Sequence, residues 1–279
     1  MKRREFLGFG AAFVLLANAP YLVAQERKNI MKLTKKANEF YKSWLGGVHP
    51  LESSDPEFVE IYLNFLFDDV SSEINLSTDE RLKITLACLV VIGAKRAYGR
   101  LVGAALKNGV KPGEIREILY QAVPYIGFGR AEELFYAMNE AFKKAGVALP
   151  LANAATTTRE NREAKGLAVQ RELFPNIDKF NAATPVDEKH IRKFLSAHCF
   201  GDFYTREGLE LKFRELLTFV YVLSLGYARP QLLGHIAGNF HVGNDRAKLI
   251  NVTTALVPFI GYPMALNTFA AIDEVSKKG

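Results

Sequence analysis

The feature that most restricts what this chain can fold into is that it repeats itself. "AVPYIGFGRA" at 122–131 lies on "LVPFIGYPMA" at 256–265 with an offset of 134. Upstream, "LSTDERLKITLACLVVIG" at 76–93 lies on "LELKFRELLTFVYVLSLG" at 209–226 with an offset of 133. The single-residue difference falls at the turn after Gly93 or Gly226, so the two halves read as one unit used twice.

Each copy reads as a succession of helices. A long apolar segment ends at glycine, a second helix opens near Arg229-Pro230 in the second copy, and a turn follows at Gly109 or Gly243. A further helix is interrupted at "PYIG" or "PFIG", and an amphipathic helix closes the unit. Taken alone, "TFVYVLSL" is equally a buried strand, since periodicity does not separate the two. Its continuity with "LELKFREL" favours a helix of about 17 residues, longer than strands usually run. The expected fold class is all-α. Residues 1–24 read as a signal segment, 30–147 as a degenerate first repeat, 148–161 ("ALPLANAATTTREN") as a linker, and 162–279 as a second repeat.

The signal reading rests on Lys2, Arg3 and Arg4, followed by an apolar run from Phe6 to Ala17 and by small residues at Ala17, Ala19 and Ala24. That run is too short for an ordinary membrane span. "RREFLGFG" is similar to a twin-arginine export signal, with a plain Sec signal and an uncleaved anchor as alternatives. Cleavage is expected after Ala24, because Pro20 disfavours a cut after Ala19. The expected location is periplasmic or otherwise exported, with membrane contact only through this segment.

Composition adds exclusions. At 279 residues, 49% hydrophobic and 24% charged, the chain is long enough for real cores. The charge of +6 drops to +4 when the signal takes away three basic residues and one acidic. The remaining basic residues are scattered, which gives no stripe for nucleic acid. Cys88 and Cys199 form no C-x-x-C pair. In an oxidising compartment they are able to bond, but Cys88, inside "TLACLVVIG", reads instead as a small buried hydrophobe.

The candidate chemistry lies in the second half. Glu215 stands eleven residues before Gly226 and His235 nine after it, so on antiparallel helices both lie roughly 14 to 17 Å from the turn at 1.5 Å per residue. A carboxylate beside an imidazole can give and take protons near neutral pH. A core histidine bonded to a buried acid for packing alone is the alternative. The repeat supplies an internal control: the first copy has Leu82 and Leu101 at these two positions. A fold that manages with two leucines in one half does not need a costly polar pair in the other.

"FGDFYTREGLELKFREL", "GHIAGNFHVG" and "VPFIGYPMALN" in the second half resemble the carboxymuconolactone decarboxylase family, related to the AhpD-type alkylhydroperoxidase fold. The first half resembles the same unit more weakly. The resemblance implies two AhpD-like helical repeats in one chain, assembled as a homo-oligomer, a trimer of two-repeat chains. It also implies a small carboxylated or lactone substrate, with His235 as proton donor or base and Glu215 as the acid that tunes it. Arg214 or Arg206 would hold a substrate carboxylate, or else pair with a neighbouring acid. Tyr262 and Asn267 would line the pocket, with packing the other reading for Tyr262.

Two departures from the family pattern narrow the reaction. Ala228 and Gln231 stand where the peroxidase branch carries C-x-x-C, so the thiolate for peroxide reduction is missing there. Gln231, Leu232, Leu233 and Gly234 precede His235 where many decarboxylases have acidic residues. No cofactor is expected. Nor is a metal: His235 and His241 are six apart and point to different helix faces, and His198 beside Cys199 is a poor ligand signal. The leading expectation is an exported decarboxylase-like enzyme. A non-catalytic ligand-binding or assembly protein on the same scaffold is the alternative, and a thiol peroxidase ranks last.

Overall fold

Helix boundaries follow the glycines and prolines of the sequence. In the computed structural model, which describes residues 31–277, the first half runs through α1 (Lys35–Leu45), α2 (Pro56–Asn64), α3 (Thr78–Val91), α4 (Lys95–Lys107), α5 (Pro112–Ile126) and α6 (Phe128–Lys144). The second half comprises α7 (Arg162–Leu173), α8 (Ile177–Ala183), α9 (Lys189–Phe194), α10 (Leu211–Leu225), α11 (Arg229–His241) and α12 (Arg246–Ser276). Turns of π-helix, Phe65–Asp69 after α2 and Leu195–Tyr204 after α9, stand at corresponding places in the two halves. Every regular element among the described residues is helical, as an all-α fold requires. The expected signal segment, residues 1–24, lies outside the described residues.

Two runs too apolar to face water on any side become the central helices. Every residue from Arg81 to Val91 on α3 and from Arg214 to Ser224 on α10 is buried, and the two helices pack against each other. The chain leaves α10 through Gly226 at φ 77°, a left-handed conformation that costs side chains with a Cβ. Crowding is a second reason for glycine there, since a Cβ would lie 2.9 Å from the Met264 Cε. The reversal sends α11 back along α10.

By length and composition α12 is apolar enough to cross a membrane. Gly261, at φ 76° and ψ 167°, breaks it into 246–260 and 262–276, each short of the roughly 20 residues that a span takes. The expected interruption at "PFIG" is therefore a kink inside one long element.

Between Lys144 and Arg162 the chain forms no helix, in keeping with its irregular sequence. Hydrogen bonds tie it to the second half: the Thr156 hydroxyl donates to the Thr205 carbonyl at 2.7 Å, and the Thr157 hydroxyl to the Gly201 carbonyl at 2.9 Å. Beyond it α7 lies against the π-helix Leu195–Tyr204 with backbones touching. A Cβ on Gly166 would sit 1.9 Å from the Ser196 carbonyl oxygen, and one on Gly201 2.1 Å from that of Arg162. This contact holds Phe174, Cys199 and Phe200 over the α10–α11 hairpin.

Candidate functional site

The hairpin brings Glu215 and His235 together, with the Glu215 Oε1 2.7 Å from the His235 Nδ1. Glu215 is fully buried, and a buried carboxylate is tolerated only when its oxygens are satisfied. Its second oxygen accepts a hydrogen bond from the Tyr204 hydroxyl at 2.9 Å. Tyr204 also meets the Thr218 hydroxyl, which lies 3.3 Å from the Tyr125 hydroxyl and accepts from the Gln121 Nε2 at 3.1 Å. Gly238 makes the approach possible, because a Cβ there would lie 2.6 Å from the Glu215 Oε1 and 2.9 Å from the Phe174 ring.

Asn239 fixes the register of the two helices. Its Nδ2 donates to the Glu215 carbonyl at 3.0 Å and to the His235 carbonyl at 2.7 Å. Its Oδ1 accepts from the Asn244 Nδ2 at 2.9 Å. Both partners of the pair are thus held by their backbones as well as by each other.

A cavity of about 940 Å³ adjoins the imidazole, and His235, Tyr125, Phe174 and Cys199 all line it. The Phe174 ring meets the His235 ring edge-on with centroids 5.4 Å apart. With Nδ1 held by Glu215, Nε2 has no hydrogen-bond partner among the described residues and is the ring nitrogen left for an occupant of the cavity. A carboxylate on Nδ1 favours the tautomer with the proton there, so the neutral ring presents Nε2 as a base and the charged ring presents it as an acid.

Burial, reinforced by neighbouring acidic groups, holds the Tyr125 and Tyr204 phenols well above their ordinary range, so both remain hydroxyl donors. Burial also pushes the Cys199 thiol up to about 12. A thiol held protonated is a poor nucleophile. Cys88 is pushed up to about 12 by the same cause, and both cysteines are free.

Arg214, Arg206, Tyr262 and Asn267 lie outside this cavity. Arg214 is fully buried, and its guanidinium donates to the Glu117 carboxylate at 3.3 Å, the Gln121 Oε1 at 2.9 Å and the Arg206 carbonyl at 2.6 Å. Arg206 donates to the same Glu117 carboxylate at 2.9 Å and lies over the Tyr120 ring. Of the two readings for these arginines, the structure takes the pairing: Glu117 satisfies both, and neither lines the cavity. Tyr262 is exposed against Phe65, also outside it. Asn267 lines a separate cavity of about 330 Å³ between α10 and α12. His241 is exposed, and His198 lines the main cavity with its ring 3.1 Å from Asp202. No group of three or more metal-binding side chains occurs among the described residues.

Sequence reasoning missed Tyr125, Tyr204 and Phe174. Tyr125 comes from the first half, and a signal for it existed: "VPYIG" has tyrosine where the similar "VPFIG" has Phe259, the same kind of difference between matching segments that singled out Glu215 and His235. Tyr204 and Phe174 carry no comparable mark.

Comparison with known proteins places one match on the half without the pair. Residues 56–140 match the model of the carboxymuconolactone decarboxylase family, within the half read as the weaker copy. No curated protein matches the chain. A crystal structure from Burkholderia xenovorans that carries the name gamma-carboxymuconolactone decarboxylase subunit is similar at 18% identity, with a TM-score of 0.48, over 90% of this chain and 100% of that one.

Proposed function

We propose that Glu215 and His235 are the proton-transfer pair of an exported enzyme, similar in chemistry to the carboxymuconolactone decarboxylases, that acts on a small carboxylated or lactone substrate. The observation that carries this reading is the 2.7 Å contact between the Glu215 Oε1 and the His235 Nδ1 beside an open cavity. Glu215 stabilises the imidazolium, and Nε2–H gives its proton to the carbon from which carbon dioxide departs. Solvent returns the proton after each turnover. The family match at residues 56–140 supports the reaction class. Export rests on the twin-arginine pattern "RREFLGFG".

The chain is, in this reading, a tandem duplication that assembles as a trimer. The shared order of helices in 78–144 and 211–276 supports the duplication, as does a counterpart cavity in the first half. That counterpart, with Leu101 and Phe259 in its wall, has shrunk to about 40 Å³, while Trp44 and Phe67 occupy its rim. One half keeps the cavity and the other lends Tyr125 to it.

The test is turnover of a panel of carboxylated lactones in D2O, read as carbon dioxide release and deuterium incorporation by NMR. His235→Ala and Glu215→Gln should each lower turnover by about 10²-fold or more, with the helical fold retained by circular dichroism at the assay temperature. Turnover undiminished in both variants would remove the pair from the chemistry.

A further inference from the structure

The cavity wall is specific about what it can hold. Among the described residues no aspartate or glutamate lines it, and Arg192 is the one lysine or arginine that does. Arg192 is half-buried, and its Nε donates to the Thr184 hydroxyl at 3.2 Å. Its guanidinium has no acidic partner among the described residues, in contrast to Arg214 and Arg206, which share Glu117. Exposed His198 and Gln231 also line the cavity, and most of the mouth is apolar: Phe180, Ile191, Phe194 and Tyr227 line it and are 60%, 56%, 59% and 71% exposed. Four large apolar side chains left in water around one opening form a patch that an occupant would cover. A volume of about 940 Å³ lies at the upper end of the roughly 300–1,000 Å³ common for small-molecule sites.

We infer that the site takes an amphiphilic monoanion, an elongated or fused-ring apolar body bearing a single carboxylate. Arg192 binds the carboxylate through its free N–H groups, the carbon that bears it faces the His235 Nε2, and the body lies over Phe180, Ile191, Phe194 and Tyr227. A compact polycarboxylate does not suit this wall: one guanidinium offers one fork, the His198 ring is already against Asp202, and further carboxylates would be desolvated against a mostly aromatic surface. The inference rests on the proton-transfer reading only in assigning the substrate to this cavity.

Calorimetry on the full chain tests it with three probes: 2-naphthoate, its neutral isostere 2-naphthamide, and citrate as the compact polyanion. Naphthoate should bind about tenfold more tightly than naphthamide at pH 7.5, and citrate should give no binding heat. Arg192→Gln should erase the naphthoate advantage and leave naphthamide unchanged. Phe194→Ser, at an exposed position that leaves the core alone, should weaken both aryl probes about fivefold with an unchanged melting temperature. Equal affinity for naphthoate and naphthamide, citrate binding as tight as naphthoate, indifference of naphthoate to Arg192→Gln, or no aryl binding would each overturn it. His235→Gln should still bind naphthoate. Binding as described with no His235-dependent turnover leaves this inference standing and removes the proton-transfer reading; turnover of a compact polycarboxylated lactone without naphthoate binding does the reverse.

Discussion

Glu215 works through the number of donors that reach it. Tyr204 donates to one carboxylate oxygen at 2.9 Å in a buried place, whereas Tyr125 stands two hydroxyls away, 3.3 Å from Thr218, at the cavity wall. Removal of a hydroxyl costs most where it leaves a buried partner short. Tyr204→Phe should therefore lower unfolding free energy by about 1–2 kcal/mol, and Tyr125→Phe by about 0.5 kcal/mol or less, as read from urea midpoints. Equal costs would mean that Glu215 does not depend on the Tyr204 hydroxyl. The pair itself was legible because the repeat offered Leu82 and Leu101 for comparison. Tyr204 was not, because its aim at Glu215 depends on a π-helix, and a single extra residue per turn rotates every later side chain. For the arginines the sequence left two readings open: Arg214 neighbours Glu215 in sequence, but successive helix positions diverge by about 100°, which turns it toward Glu117.

Among the elements, α7 and the π-helix Leu195–Tyr204 form the lid over the hairpin, and their contact depends on two glycines. Any side chain at Gly166 or Gly201 collides with backbone, which cannot swing aside as a flexible side chain does. Gly166→Ala and Gly201→Ala should each cost about 3 kcal/mol or more and loosen the cavity, seen as a lower melting temperature and weaker aryl-probe binding. Gly129→Ala on α6 is the control, since its Cβ would enter open space on a helix; it should be neutral or stabilising by up to about 1 kcal/mol. If all three variants melt alike, the close approach is not what seats α7. Helix ends were readable wherever glycine ended an apolar run, as at Gly93 and Gly226. The seating of α7 was not, because "REAKGLAVQREL" has no strong apolar stripe and is held by backbone proximity instead of by a hydrophobic face.

At the scale of the whole molecule, the all-α fold was legible, because apolar runs of helical length ended by glycine and proline survive in sequence. The small size of the cavity beside Leu101 was not, since it depends on how Trp44 and Phe67 pack together, with ring centroids 5.5 Å apart. A fold with this much buried weak acid also has a characteristic response to alkali. Cys88, Cys199 and Tyr62 are each pushed up to about 12 by burial, and Tyr125, Tyr204 and Tyr221 are raised well above 10. Native protein keeps these protons while unfolded chain releases them, so the stabilisation is complete below pH 9 and is lost as pH rises through 9 toward 12. Each group contributes a slope of at most about 1.4 kcal/mol per pH unit. Urea midpoints should accordingly hold level from pH 7 to 8.5 and fall progressively at 9.5 and 10.5. Thiols titrate first in the unfolded chain, so the double variant Cys88→Ala, Cys199→Ala should flatten the profile between pH 9 and 10 and leave the steeper tyrosine-driven fall above it. A profile that stays level to pH 10.5 would mean that water reaches these groups in the native state, and the dry surroundings assigned to Glu215 would go with them.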